Sequence, residues 1–146
     1  MIRKLADGLE LDDSKDRIDL EEVHRFLSEE SYWGNGRARE TQERLVREAS
    51  RVVGLYDGER QIGFCRAFTD GVAAAYLADV YVLQEYRGRG LGEELVREMI
   101  DNGPYAKLKW LLHTTDAHPL YRKVGFDAPS QKVMERDSTR NASESG

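Results

Sequence analysis

The segment Val80–Gly92 constrains the fold of this chain more than any other part of its sequence. β-Forming residues at Val80–Val82 are followed by the run Arg87–Gly92, in which every second residue is a glycine. Apolar residues then recur every four positions from Leu91 to Met99, which predicts an amphipathic helix. A strand that enters a helix through a glycine-rich turn predicts a βαβ unit, whose second, parallel strand we place at Leu108–Thr114.

Two Asp-Gly turns before this segment predict antiparallel hairpins. The first turn, Asp57–Arg60, separates the apolar runs Val52–Tyr56 and Ile62–Phe68, which we assign as the second and third strands. The second turn, Asp70-Gly71, leads into the strand Ala75–Val82. The sequence therefore predicts an α/β fold in which helices flank a central mixed sheet that is mostly antiparallel.

Helices are predicted on both sides of this strand-rich region. Asp19 is placed to cap a first helix that extends through Leu27, and Glu22 stands three residues after the cap. A second helix is expected at Thr41–Ala49, and a short one at Ala117–Val124.

The length of the chain favours one domain. A single core in a chain of 146 residues buries most of its apolar surface, whereas two cores of half that size would each be marginal. We assign residues 1–136 to one domain with a last strand at Gln131–Glu135, and we expect Asp137–Gly146 to be a disordered tail.

Charge and composition argue against several classes of function. A net charge of −5 opposes a general attraction to nucleic acid. No apolar run approaches the roughly 18 residues that a membrane span needs, and because no secretory leader opens the chain we expect a cytoplasmic protein. The single cysteine, Cys65, lies in a strand-like run and favours a buried thiol over a nucleophile. No second ligand accompanies His24, so no metal site is predicted.

The alternating glycines predict a binding site for a phosphate group. The residues of this glycine turn are Arg87, Gly88, Arg89, Gly90, Leu91 and Gly92. Glycines let backbone N–H groups approach an anion at the start of a helix, and the two arginines add forked cationic donors. A tight turn without a ligand is the alternative. The dinucleotide-binding fingerprint is excluded because it needs glycine where Glu93 stands, and no GxxxxGK run is present.

Two motifs resemble those of the GCN5-related N-acetyltransferases, the GNAT family. Arg87, Gly90 and Gly92 meet the family pattern Gln/Arg-x-x-Gly-x-Gly/Ala after a predicted strand. Downstream, Ala117–Phe126 is similar to the family segment A-x-x-L-Y-x-K-x-G-F. The resemblance extends over residues 19–136 and implies an N-acetyltransferase that takes its acetyl group from acetyl-CoA.

The resemblance also implies direct attack by a primary amine in a ternary complex. The pyrophosphate would lie on the glycine turn, and the pantetheine arm would bond to the backbone of Val80, Tyr81 and Val82. A strand amide would polarise the acetyl carbonyl, so that no covalent enzyme intermediate is needed. Tyr121 would donate a proton or a hydrogen bond to the departing CoA sulfur, although packing on Phe126 would also explain a tyrosine there.

Asp79 is a candidate base because it interrupts an apolar strand just before the segment proposed to bind the cofactor. It would take the ammonium proton directly or through water. A carboxylate that faces solvent, or one that is hydrogen-bonded to a loop, is an equally good interpretation.

The remaining candidates concern the acceptor and one cofactor contact. In related enzymes the loop between the first two helices covers the acceptor site, which implies substrate contacts for Tyr32, Trp33 and Arg37. The two aromatic residues would alternatively anchor that loop on the core. His118 would serve as base or substrate contact, and Thr114 occupies a cofactor-contact position that is often asparagine in the family.

Two other functions remain open at this point. The chain could be a non-catalytic acyl-CoA-binding or regulatory module on the same fold, or an interaction protein in which the glycine run is only a turn. Family habit implies a homodimer. The acceptor amine, whether a small molecule or a peptide, cannot be read from the fold.

Overall fold

The chain is organised around a six-stranded sheet. The computed structural model describes residues 1–31, 36–114, 116–129 and 133–136. The strands are β1 Ile2–Lys4, β2 Leu9–Asp12, β3 Arg51–Asp57, β4 Arg60–Thr69, β5 Ala74–Val82 and β6 Lys109–Leu111. The helices are α1 Leu20–Glu29, α2 Arg39–Glu48, α3 Leu91–Ile100 and α4 His118–Lys123. Short 3-10 turns lie at Ala6–Gly8, Lys15–Arg17 and Gln84–Tyr86.

The strands lie in the sheet in the same order as in the chain. Each neighbouring pair from β1 to β5 is antiparallel, whereas β5 and β6 are parallel and are connected through α3. The predicted α/β fold, with its mixed and mostly antiparallel sheet and its βαβ unit, is confirmed.

The helices begin where the sequence predicts. The Asp19 side chain accepts a hydrogen bond from the Glu22 backbone N–H at 3.1 Å, and it caps α1 as expected. The second, third and fourth helices coincide with the helical segments predicted at residues 41–49, 91–100 and 117–124, within two residues at each end.

The helices cover both faces of the sheet. Arg51 on β3 donates hydrogen bonds from Nη1 to the backbone carbonyls of Glu98 and Met99 on α3, at 2.8 and 3.0 Å. On the other face, the ring of Phe26 on α1 stacks on Tyr81 of β5, with 3.9 Å between centroids. One face of the sheet therefore carries α3, and the opposite face carries α1, against which α2 packs.

An amino-terminal hairpin was not predicted. β1 and β2 pair with each other, and β2 pairs with β3 with Leu11 opposite Leu55. The runs assigned as the second and third strands are therefore β3 and β4. The available signal was Asp7-Gly8, followed by apolar residues at the alternate positions Leu9 and Leu11. A run of four residues is too short for such an alternation to identify a strand.

The carboxy-terminal part of the sheet is shorter than predicted. The strand expected at Leu108–Thr114 is limited to Lys109–Leu111, because the chain leaves β5 after that point. The last strand predicted at Gln131–Glu135 was wrong for Val133–Glu135, which form no strand. Gln131, Lys132 and the tail Asp137–Gly146 lie outside the described residues.

Candidate functional site

A wedge-shaped gap opens where β5 and β6 separate. The two strands pair only over Ala74–Tyr76 and Lys109–Leu111, although β5 continues to Val82. In the part of the chain that the structure describes, no strand pairs with Leu77–Val82 on that side of β5. The gap belongs to a cleft of about 830 Å³, a volume typical of sites for small molecules.

A β-bulge shapes the middle of β5. Phe64 is opposite Tyr81 and Arg66 is opposite Ala78, so β5 has one more residue than β4 between these two pairs. Asp79 lies in the bulge with a φ of +56°, a left-handed conformation that few residues other than glycine adopt. Such a conformation persists only where the surroundings enforce it.

Two arginines hold the Asp79 carboxylate. Its side chain is only 2% exposed, and its Oδ2 accepts hydrogen bonds from Arg66 Nε at 2.6 Å and from Arg37 Nη1 at 2.9 Å. Arg37 lies just before α2, so this cluster ties the bulge both to β4 and to the connection between α1 and α2. The hydrogen bonds give Asp79 a structural task, and its role as base stays a prediction.

The glycine turn connects β5 to α3 at one end of the cleft. Gly88 and Gly90 have φ angles of +82° and +74°, which explains why glycine is needed there. Gly90 is the N-cap of α3, and no side chain among the described residues caps that helix end. The first-turn N–H groups therefore have no side-chain acceptor and form a natural site for an anion.

Charged residues around this turn differ in their placement. Arg87 lines the cleft, and its Nε donates to the Val82 carbonyl at 3.0 Å. Arg89 does not line the cleft; its guanidinium lies 5.6 Å from the centre of the Tyr86 ring and 3.8 Å from Asp7. Only one of the two predicted phosphate-binding arginines is thus positioned at the cleft.

Two acidic residues follow the glycines in the first turn of α3. An acidic side chain that faced a bound phosphate would repel it. Glu94 forms an ion pair with Arg3 at 3.1 Å, away from the cleft, whereas Glu93 lines the cleft and lies 3.8 Å from Arg97. Of the two, only Glu93 would therefore lie near an anion bound in the cleft.

Tyr121 lies on α4, after the parallel strand β6. Its ring is buried, lines the cleft and meets Phe126 edge-to-face at 5.9 Å, so the packing interpretation and the catalytic one are compatible. Thr114 also lines the cleft, and its hydroxyl accepts a hydrogen bond from the Ala117 N–H at 3.1 Å. His118 is exposed and does not line the cleft.

Most of the other residues predicted for the site line the cleft. Val80, Tyr81, Val82, Leu91 and Gly92 line the cleft, as do Gly88, Gly90, Asp79 and Arg37. Tyr32 and Trp33 lie outside the described residues. Cys65 is fully buried and does not line the cleft; burial raises the pKa of its thiol, as expected for an inert cysteine.

Several polar residues that were not singled out from the sequence also line the cleft. Among them are Arg66, Tyr76 and His113. Arg66 is a charged residue inside the apolar run of β4, the same signal that identified Asp79 on β5. Tyr76 and His113 gave no such signal, because an aromatic residue in a strand is ordinary.

No helix within the described residues is long and apolar enough to cross a membrane. The same residues contain no group of three or more histidine, cysteine, aspartate or glutamate side chains that could hold a metal ion.

The sequence matches the acetyltransferase (GNAT) domain family over residues 48–128. Among solved structures, the chain is similar to a protein of Xanthomonas campestris pv. campestris described as a GNAT-family acetyltransferase. The two are 31% identical with a TM-score of 0.83, and the match covers 89% of this chain and 93% of that one. Both motifs identified in the sequence lie within the matched residues, so the inferred resemblance is confirmed.

Two curated relatives are longer proteins. One, described as an acetyltransferase of Gibberella zeae, is 35% identical over 69 residues, which are 45% of this chain and 39% of that protein. The mycothiol acetyltransferase of Corynebacterium efficiens is 27% identical over 120 residues, which are 77% of this chain and 40% of that protein. The matches thus span about two-fifths of the length of these relatives.

Proposed function

We propose that this chain, which belongs to the GNAT acetyltransferase family, transfers an acetyl group from acetyl-CoA to a primary amine by direct attack in a ternary complex. One observation carries the proposal. The cleft joins an uncapped helix N-terminus behind a glycine turn to a strand edge that has no strand partner among the described residues. These two features suit the two chemically different parts of CoA, an anionic pyrophosphate and an extended arm with amide groups.

The glycine turn would bind the pyrophosphate. Backbone N–H groups in the first turn of α3 and the positive end of the helix dipole favour a negative charge there. Arg87 lies beside them and keeps guanidinium donors besides the Nε that is bonded to Val82. Arg89 would contribute only through its charge at longer range.

The free edge of β5 would bind the pantetheine arm. Val80, Tyr81 and Val82 belong to the part of β5 that β6 does not reach, so backbone groups on this edge can bond to the amides of the arm. The Val82 carbonyl already accepts a hydrogen bond from Arg87 Nε. A backbone N–H at the bulge would then polarise the acetyl carbonyl as the tetrahedral oxyanion develops.

Tyr121 would complete the reaction on the opposite side of the cleft. As the carbon–sulfur bond breaks, its hydroxyl would donate a proton to the departing thiolate. The amine would enter past Arg37, which is paired with Asp79. Attack on the carbonyl requires a neutral amine, so the ammonium proton has to be removed first or during attack.

The test measures the release of CoA from acetyl-CoA in the presence of each of a panel of amines. A thiol reagent detects the released CoA. We expect at least one alkylamine to stimulate release above the rate without an acceptor. Calorimetry with CoA should show binding, and binding should weaken when Arg87 is replaced by leucine. An absence of stimulated release with every amine would contradict the proposal.

A second function is favoured by Thr114. Its hydroxyl accepts a hydrogen bond from the Ala117 N–H. The family resemblance places a cofactor-contacting asparagine at this position. A non-catalytic acyl-CoA-binding module would bind CoA in the calorimeter and show no turnover with any amine. The two measurements above therefore separate the two functions.

A further inference from the structure

A row of three hydrogen-bonded side chains lies at the narrow end of the cleft. The Tyr76 hydroxyl is hydrogen-bonded to His113 Nδ1, and His113 Nε2 is hydrogen-bonded to the carboxylate of Glu135. The residues come from β5, from the chain just after β6 and from the carboxy-terminal segment. They are separated by 37 and 22 positions in the sequence, so only the fold brings them together.

The row lies where β5 and β6 begin to separate. Tyr76 is opposite Leu111, the last pair before the gap, and it precedes the Asp79 bulge by three residues on the same strand. Tyr76 and His113 both line the cleft that contains Tyr121 and the bulge. The Tyr76 ring stacks on Phe68, its partner on β4, with 5.0 Å between centroids, and this contact limits its motion.

The order of the groups suits proton transfer. His113 Nδ1 faces a hydroxyl and Nε2 faces a carboxylate, which favours the tautomer with the proton on Nε2 and a lone pair on Nδ1. In this tautomer the Tyr76 hydroxyl donates to Nδ1, and Nε2–H donates to Glu135. A base oriented by a carboxylate and bonded to a hydroxyl is the arrangement that activates hydroxyl groups in many enzymes.

We propose that Tyr76, His113 and Glu135, the Tyr76 relay, remove the proton from the ammonium group of the acceptor. The inference rests on the acetyl transfer proposed above and names the base of that reaction. The acceptor ammonium gives one proton to the Tyr76 oxygen as the Tyr76 proton passes to His113 Nδ1. The products are a neutral amine, a neutral phenol and an imidazolium that Glu135 stabilises.

The outer two residues of the relay are exposed to solvent. The side chains of His113 and Glu135 are 68% and 63% exposed, so the imidazolium can release its proton to water after each turnover. Tyr76 lies deeper, at the cleft, where it can meet the substrate. The relay therefore connects a partly buried reacting group to bulk solvent through two hydrogen bonds.

Other charges face Tyr76 from the neighbouring strands. Burial raises the pKa of its hydroxyl, the Arg66 guanidinium acts in the opposite direction, and the carboxylates of Glu135 and Asp79 act with burial. Tyr76 thus keeps its proton at neutral pH, as a group that accepts one proton while it passes on another must do. Asp79 is the competing base, but Arg66 and Arg37 already hold its Oδ2.

The experiment compares pH profiles of kcat/KM between pH 6 and 10, with an alkylamine that the wild-type protein accepts. The variants are Tyr76→Phe, His113→Asn and Glu135→Gln, with Tyr105→Phe as a control that removes a phenol outside the cleft. Because an alkylammonium has a pKa of about 10, the fraction of the amine that is neutral rises about tenfold per pH unit below that pH. We expect a level wild-type profile above neutrality, and a loss of about 10²-fold at pH 7 in Tyr76→Phe and His113→Asn.

The loss should shrink about tenfold per pH unit, because the neutral amine needs no base. Glu135→Gln should show the same trend with a smaller loss, and added imidazole should restore part of the activity of His113→Ala. A loss that is the same at every pH, or no loss, would overturn the relay alone. A wild-type protein inactive with every amine would overturn the proposed function and the relay with it. Circular dichroism checks folding, and any single folded variant of Tyr76 or His113 is sufficient for the test.

Discussion

Arg66 on β4 and Asp79 on β5 form a buried ion pair, with 2.6 Å between Nε and Oδ2. The partner of Arg66 across the strands is Ala78, and simple alternation would place Asp79 on the opposite face of the sheet. The φ of +56° turns the Asp79 side chain back to the face of Arg66, where Arg37 joins it. The bulge and the ion pair therefore depend on each other.

Replacement of Asp79 by asparagine should destabilise the protein by about 3 kcal/mol, because it leaves the buried guanidinium of Arg66 without its charged partner. Asparagine tolerates the left-handed conformation, so the backbone itself should remain. Urea denaturation measures the change. The control is Glu48→Gln, which breaks an exposed ion pair to Arg44 of 2.9 Å and should cost at most about 0.5 kcal/mol. Equal losses in both variants would contradict this account.

The same Asp79→Asn variant separates a structural role from a role as base. If Asp79 holds the bulge, the variant should lose activity by the same factor at every pH. If Asp79 takes the ammonium proton, the loss should shrink as the pH approaches the pKa of the amine. We expect the first result, measured as kcat/KM from pH 6 to 10 beside the variants of the Tyr76 relay.

Replacement of Tyr121 by phenylalanine should lower kcat roughly 10²-fold and leave the Kd for CoA unchanged within about twofold. The ring and its edge-to-face contact with Phe126 remain, whereas the proton donor for the thiolate is lost. Steady-state CoA release and calorimetry provide the two quantities. Tyr105→Phe is again the matched control, and a weakened Kd with unchanged kcat would contradict the catalytic interpretation.

Two glycines of the turn should respond oppositely to alanine. Gly90 has a φ of +74°, so Gly90→Ala should cost about 1–2 kcal/mol of stability. Gly92 lies inside α3, where an added Cβ would meet Leu120 at an ordinary 3.5 Å, and Gly92→Ala should be neutral or stabilise the protein by up to about 1 kcal/mol. Thermal and urea denaturation of both variants test the difference, and equal losses would refute it.

Stability should fall at alkaline pH in a way that depends on Cys65. Burial raises the pKa of this thiol above its unfolded value of about 8.5, so the folded state holds the proton more tightly than the unfolded state. The resulting contribution is complete below that pH and is lost as the pH rises towards the folded pKa. We expect the free energy of unfolding of the wild type, relative to Cys65→Val, to fall by about 1.4 kcal/mol per pH unit above pH 9. A difference that stays constant from pH 7 to 10 would contradict this expectation.

Local patterns were sufficient for much of the fold. The Asp-Gly turn at Asp57-Gly58 and the glycine turn specify their own backbone geometry, and the cap at Asp19 begins its own helix. The hairpin Ile2–Asp12 was missed because its strands are short, and Val133–Glu135 did not form a strand although Val133 favours one. Strand length and the availability of a partner are not encoded locally.

Some features of the cleft also follow from local sequence, whereas others depend on the tertiary structure. By itself the sequence determined the glycine turn that we propose to bind an anion, because glycine spacing, positive φ and a helix start all act within a few residues. The tertiary structure decided which polar residues meet. Arg66 reaches Asp79 only through a one-residue bulge, and Tyr76 reaches His113 only because β5 and β6 are paired up to that point. The position of a bulge and the point where two strands part depend on packing over the whole sheet, and no short pattern of residues specifies them.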